Sequence, residues 1–327
     1  MNKPSLLTIG ILSWNRLNYL RATLESAKRC IQYPNIQWIV LDNYSTEPGL
    51  AEYLKSLAWI DELIFMQSSH VAAMNEIVAR AKGDVLLLWP EDVQFVVEGD
   101  WMRDCIEILL KDYSIGALSL NFHRRQTIEY IWGRQRFNKN GILRMWKDLK
   151  RYGANFRLQK KNISSNGYPV RTFGWQEDGI IGAGITSLAR TEVWKKLGPW
   201  KAKPADDNII DSSGGGETEM LERWAKTKTP LQRALPILPV SADIINDNIG
   251  SKAKVRGNKR YGVYTPPLQG DFYYKIYEQK DVANLQKRNL PVSFEEFVVP
   301  IGFGLPLDSE GNLLKSSFND TIVADVN

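Results

Sequence analysis

Early in the chain one arrangement recurs: a short apolar run breaks into a polar turn and is followed by apolar residues at helical spacing. Residues 6–12 run into Ser13-Trp14-Asn15-Arg16 and then Leu20, Leu24 and Ala27, and residues 36–41 run into Asp42-Asn43-Tyr44-Ser45-Thr46 and then Leu50, Tyr53 and Leu54. Leu63, Ile64 and Phe65 form a third strand, a helical face around Ile77 and Ala81 ends at Gly83, and residues 85–89 read as a strand buried on both faces. Such alternation predicts an α/β fold with a mostly parallel sheet, right-handed crossovers and flanking helices. Each polar strand end then faces one crevice, at the carboxyl edge where open α/β sheets bind ligands. The fourth strand delivers Glu91 and Asp92 to that edge. Hard carboxylate oxygens suit Mg²⁺ or Mn²⁺ carrying a substrate's phosphates, whereas the plainer reading of an acidic pair is a charged turn.

At 327 residues the chain can build one large α/β domain with an appendage, and its apolar content excludes general disorder. Cys30 and Cys105 have no metal-like spacing, which fits a reducing compartment. A signal peptide is not apparent, and no apolar run approaches the roughly 18 residues that span a bilayer, so the expected location is the cytoplasm or a membrane's cytoplasmic face. The formal charge of +5 is unevenly spread. Residues 121–172 hold thirteen Lys or Arg against Glu129 and Asp148, a local +11, so the remaining chain carries −6. Trp132, Phe137, Trp146 and Tyr152 interleave with these cations. The segment suits diphosphates, an anionic glycan, a polyprenyl-phosphate surface or nucleic acid; the competing reading is a solvated helical face with aromatic anchors.

Four blocks in order resemble family 2 of the glycosyltransferases, whose nucleotide-sugar domain has the GT-A fold. Ser13-Trp14-Asn15-Arg16 with Tyr19-Leu20 is similar to the opening aromatic-Asn-Arg motif, and Leu41-Asp42-Asn43-Tyr44-Ser45-Thr46 to the Asp-rich second turn. Asn75 through Ala81-Lys82-Gly83-Asp84 resembles the helix that precedes the metal motif. Gly182-Ala183-Gly184, Gly198-Pro199-Trp200 and Glu217-Thr218-Glu219-Met220-Leu221 with Arg223 resemble the acceptor-side pattern Glu-Asp-x-Asp-Leu-x-x-Arg. Order and spacing agree over the first 225 residues or so, and the family is inverting and nucleotide-sugar-dependent.

The resemblance implies roles for particular residues. Ser13, Trp14, Asn15, Arg16, Asp42, His70, Asn75 and Glu91 would bind the donor nucleotide, with Trp14 against the base and Asp42 accepting from a base N–H, which suits UDP, GDP or dTDP donors. Asp92 matches the final acid of the Asp-x-Asp motif and would ligate Mn²⁺ or Mg²⁺; here the motif reads Pro90-Glu91-Asp92. Glu217, in place of the usual Asp at a helix start, would be the general base. Gly184, Glu219, Arg223, Asp247, Lys252 and Arg256 would serve acceptor or diphosphate, the region after Asp243 lacking the histidine that relatives place there. Ordinary structural roles compete: core packing for Trp14, helix capping for Asp42, Glu217 and Glu219, and a loop position for His70.

The chain is accordingly read as a GT-A domain over residues 1–245, with a nucleotide-sugar half (1–120), a basic aromatic insertion (121–172) and an acceptor or catalytic half (173–245), followed by an extension over 246–327. A strand is expected at residues 235–240. The expected function is transfer of a sugar from a nucleoside diphosphate to a glycan, lipid-linked or protein acceptor; peripheral membrane contact is compatible with it, and nucleic acid is not the expected partner. The alternatives are an inactive GT-A-fold protein that binds an anionic polymer or nucleic acid, and a sugar-phosphate nucleotidyltransferase, whose Gly-x-Gly-x-x-x-Arg opening is absent.

Overall fold

The computed structural model describes residues 4–113, 115–120, 161–165, 168–173, 186–201, 219–220, 223, 232–236, 240–244 and 271–280. The expected alternation appears as β1 (Leu7–Ser13), α1 (Leu17–Cys30), β2 (Ile36–Asp42), α2 (Leu50–Ser56), β3 (Glu62–Phe65), α3 (His70–Arg80) and β4 (Val85–Pro90). There follow β5 (Val93–Phe95), β6 (Val97–Glu98), α4 (Trp101–Lys111), β7 (Ile115–Ser119), β8 (Lys161–Ser165), β9 (Tyr168–Phe173), β10 (Ser187–Arg190) and α5 (Thr191–Leu197). The described elements end with β11 (Gln232–Pro236), β12 (Ser241–Asp243) and β13 (Tyr277–Glu278).

Nine strands form one sheet in the order β3-β2-β1-β4-β10-β7-β11-β9-β8. β3, β2, β1 and β4 are mutually parallel, and only β10 and β9 run against the other strands. Register makes the parallel strands end level: Ser13 stands opposite Asp42, Asp42 opposite Phe65, and Leu12 opposite Pro90. The polar residues that follow therefore share one edge. β8 and β9, an antiparallel pair at the sheet margin, take in the described end of the basic segment, and Trp132, Phe137, Trp146 and Tyr152 lie outside the described residues. One strand shifts: the expected 235–240 is β11 at Gln232–Pro236, with β12 beginning at Ser241 and pairing with β5.

β1, β2 and β4 are buried on both faces, which explains their near-continuous apolar runs. Leu7, Ile9, Ile11, Trp38, Val40, Val85, Leu87 and Trp89 pack toward α1 and α4, while Leu12, Ile39, Leu41, Leu86 and Leu88 pack toward α3 and α5. Glycine is required where helix and sheet approach most closely: a Cβ on Gly10 would collide with Ile77 of α3. Gly83 plays a similar part and does not close α3, whose C-cap is Ala81. A Cβ there would lie 2.6 Å from the Thr8 N and 2.7 Å from the Leu6 O.

Residues 271–280 lie against the β5–β6 corner. The side chain of Gln94, fully buried, accepts from the Tyr273 and Tyr274 N–H groups (2.9 and 3.0 Å) and donates to the Tyr274 carbonyl (2.8 Å). Tyr273 meets Tyr19 of α1 edge to face at 5.3 Å, β13 pairs with β6, and Gln279 Oε1 accepts from the Trp101 N–H at the start of α4 (2.8 Å). Gln94→Ala removes three hydrogen bonds to the Tyr273 and Tyr274 backbone and is expected to cost on the order of 3 kcal/mol, read from urea unfolding.

Cys30 and Cys105 are buried, and burial pushes both thiols well above their ordinary range. Neither is expected to react with a disulfide reagent in the native protein near neutral pH, whereas both should react after unfolding; rapid native labelling would contradict the packing of α1 and α4.

Candidate active site

The β1–α1 turn crosses the β2–α2 turn at the carboxyl edge, and each holds the other. Asn15 and Arg16 have left-handed backbone (φ 53° and 61°), which costs a non-glycine residue on the order of 1 kcal/mol or more. Hydrogen bonds offset that cost. The Asn15 N–H donates to Ser45 Oγ (2.7 Å), and Asn15 Oδ1 accepts from the Thr46 and Glu47 N–H groups (2.9 and 3.1 Å). Glu47 in turn accepts from the Leu17 N–H at 2.9 Å, placing a carboxylate at the positive end of α1.

Asp42 is 1% exposed and organises the second turn. Its Oδ1 accepts from the Ser13 and Ser45 hydroxyls (3.0 and 2.5 Å) and its Oδ2 from the Ser45 N–H (2.8 Å). This is a turn-forming role, not a helix cap, since Gly49 is the N-cap of α2. A carboxylate offers about four acceptor positions, so a base N–H would come as a fourth partner. Asn43 Oδ1 extends the edge by accepting from the Ser68 N–H (2.6 Å), just before α3. Trp14 is half-buried in the first turn; His70 is half-buried as the first residue of α3, which Ser69 caps by accepting from the Ala72 N–H.

The acid pair sits where the sequence places it, between β4 and β5. Glu91 and Asp92 are 6% and 4% exposed, and both are engaged by Arg16: the guanidinium pairs with Glu91 Oε1 through one nitrogen and lies 3.1 Å from Asp92 Oδ2 through another. Two hydroxyls on α1 hold the backbone of the same turn. Thr23 Oγ1 donates to the Glu91 carbonyl (2.8 Å), and Ser26 Oγ accepts from the Phe95 N–H (3.0 Å). Thr23 and Ser26 were not among the expected site residues. Their signal was two hydroxyls on the face of α1 that also carries Leu20, Leu24 and Ala27. Stacking of Trp89 on Phe95 (4.3 Å between centroids) and the Trp89 Nε1–H bond to the Val93 carbonyl (2.8 Å) complete the turn.

The sequence profile of glycosyl transferase family 2 matches residues 8–174, just over half of the chain, and so includes both crossed turns and the acid pair. The chain belongs to that family. Its sheet, parallel over most strands and covered by helices, is the expected GT-A fold. A relative in Sinorhizobium fredii, the uncharacterized protein y4gI, is 29% identical over 113 residues, which cover 33% of this chain and 12% of that protein. Similar solved structures include the mannosyltransferase PcManGT of Pyrobaculum calidifontis in complex with GDP-Man and Mn²⁺, at 14% identity and TM-score 0.47, covering 78% of this chain and 61% of that one. Another is TarS 1–349 of S. aureus in complex with UDP-GlcNAc, at 11% identity and TM-score 0.44, covering 72% of this chain and 57% of that one.

In this family 2 chain a second cluster joins α3 to residues of the acceptor-side pattern. Asn75 exchanges two hydrogen bonds with the backbone of Trp200, donating to its carbonyl (3.0 Å) and accepting from its N–H (2.8 Å). Arg223 pairs with Glu219 at 2.6 Å and donates to the Leu197 and Pro199 carbonyls, gripping the same turn at Gly198, whose φ is 81°. Asn75 and Arg223 thus bind the 197–200 segment directly, and Glu219 pairs with Arg223. Glu217, Gly184, Asp247, Lys252 and Arg256 lie outside the described residues. Among the described residues no group of three or more His, Cys, Asp or Glu is placed to hold a metal. Glu91 and Asp92 nevertheless fit a divalent ion, since these shielded oxygens already bind a cation and Mg²⁺ uses one or two carboxylates alongside substrate phosphates.

Asn75→Ala is expected to lower stability by about 1–2 kcal/mol in urea unfolding by removing both hydrogen bonds to the Trp200 backbone. If Asn75 were only a nucleotide ligand, the same change would reduce nucleotide affinity and leave the unfolding midpoint in place.

Proposed function

We propose that this chain is an inverting glycosyltransferase that moves a sugar from a nucleoside diphosphate of the UDP, GDP or dTDP type to a hydroxyl of a glycan, lipid-linked or protein acceptor. The observation that carries this reading is the convergence, within the family 2 region, of Ser13, Asn15, Arg16, Asp42, Glu91 and Asp92 on the carboxyl edge of the parallel sheet. Such an edge binds ligands, and its mixture of a guanidinium and hard carboxylate oxygens suits a diphosphate with its counter-ion.

In this mechanism Trp14 and the turn held by Asp42 receive the base. Glu217 takes the proton from the acceptor hydroxyl, whose oxygen bonds to the anomeric carbon. The bond from that carbon to the donor phosphate oxygen breaks on the opposite side, and the diphosphate leaves with the electron pair. Arg16 lies where it can meet the charge that accumulates on the diphosphate. Glu91 and Asp92 would hold a divalent ion, which would supply further charge neutralisation for that leaving group. The basic segment 121–172 provides acceptor or diphosphate electrostatics, residues 1–245 form the transferase unit, and residues 246–327 form its extension.

Glu217→Gln is expected to lower transfer by about two to four orders of magnitude, the usual worth of general-base help, with donor binding kept. A thermal-shift panel of UDP, GDP, dTDP and CDP with their common sugars tests the donor class. Ligand at about a hundred times its dissociation constant adds roughly 2.7 kcal/mol of stability. A rise for one nucleotide together with loss of turnover in Glu217→Gln supports the reading; full turnover in that variant removes Glu217 as the base.

A further inference from the structure

The acid pair is already occupied by a side chain of the same protein. Arg16 reaches Glu91 and Asp92 together, and its side chain is 12% exposed against 7% and 6% for the two acids. Its backbone has little freedom to withdraw: Arg16 is the left-handed N-cap of α1, its carbonyl accepts from the Leu20 N–H at 3.0 Å, and Asn15 and Leu17 on either side are tied to Ser45, Thr46 and Glu47. Release of the acids therefore requires the guanidinium to swing while its Cα stays in place.

Charge says when that swing is favourable. The two carboxylates and the guanidinium together carry one net negative charge, which repels a diphosphate. A divalent ion arriving alone must compete with a shielded cation that already pairs with both acids, and it would take those two anions from the guanidinium. When diphosphate and metal arrive together, the metal takes the carboxylates and the phosphates give the guanidinium a bidentate partner. Every charge then has an opposite neighbour.

We propose that Arg16 is the resident counter-ion of Glu91 and Asp92 and couples metal binding to nucleoside diphosphate binding: it withholds the acid pair from a divalent ion until a diphosphate takes the guanidinium. This deepens the donor reading above and rests on it. By linkage the coupling is reciprocal, so the metal strengthens nucleotide binding by the factor by which the nucleotide strengthens metal binding.

The test titrates Mn²⁺ into the full chain, with free Mn²⁺ read from its electron paramagnetic resonance signal, alone and with saturating UDP or GDP. Native protein is expected to bind Mn²⁺ at least about tenfold more tightly with the nucleotide it accepts, within the range usual for coupled sites. Arg16→Met, checked for fold by circular dichroism, is expected to bind Mn²⁺ about tenfold more tightly than native protein without nucleotide and to lose most of the enhancement. Equal nucleotide-free affinity in the two proteins overturns the proposal, as does absence of Mn²⁺ binding to both. Should Arg16→Met not fold, the native protein decides alone: identical Mn²⁺ affinity with and without a bound nucleotide overturns the coupling. If neither UDP nor GDP binds, the donor reading fails for those nucleotides, and the nucleotide-free comparison still decides whether Arg16 withholds the acids.

Discussion

Helix α1 is amphipathic in an unusual sense, because the face it turns to the sheet carries polar residues as well as apolar ones. Leu20, Leu24 and Ala27 bury against the strands, while Arg16, Thr23 and Ser26 bind the side chains and backbone of the turn between β4 and β5. Two acids in so shielded a place would be strongly disfavoured if left alone, since removing one partner of a buried ion pair costs about 3–5 kcal/mol. The position of α1 is thus tied to the acids as well as to the core. Its own start is in turn held by Asn15, Ser45 and Glu47, so the two crossed turns, the helix and the acid pair form one interdependent unit.

That unit gives the departure from Asp-x-Asp a physical meaning. With Pro90 ending β4, Glu91 and Asp92 are the two carboxylates at the strand tip, and Arg16 bridges both. The site is therefore organised around a cation of the protein's own. Asp42 shows a related economy: its carboxylate accepts three hydrogen bonds from Ser13 and Ser45 and so shapes the edge on which a nucleotide would lie.

Away from this edge, longer connections link distant parts of the chain. Asn75 on α3 and Arg223 both hold the turn at residues 197–200, so α3 and the 219–223 segment share an anchor. On the opposite side of the sheet, Gln94 uses its whole amide to bind the backbone of Tyr273 and Tyr274, and Tyr273 rests on Tyr19, one turn along α1 from Arg16. Residues late in the sequence thereby support the helix that begins at the site.

Much of this was legible in the residues alone. Apolar runs of strand length, helical spacing between them and polar residues at the strand ends determine a parallel α/β sheet with one functional edge, because each of those signals is local and repeats. The same locality places Ser13, Asn15, Arg16, Asp42, Glu91 and Asp92 at that edge. What the side chains do there was decided only in three dimensions. Asn75 bonds Trp200, 125 positions away; Gly83 read as a helix stop and is a point of close contact with β1; β8 and β9 pair as antiparallel strands at the sheet margin. Arg16 meets an acid 76 positions away, and no spacing rule joins them. Local pattern fixes where a strand ends, because backbone geometry and burial act over a few residues; the partner of a charged or amide group depends on which distant segment the packed core brings within about 3 Å, and that distance exists only once the chain has folded.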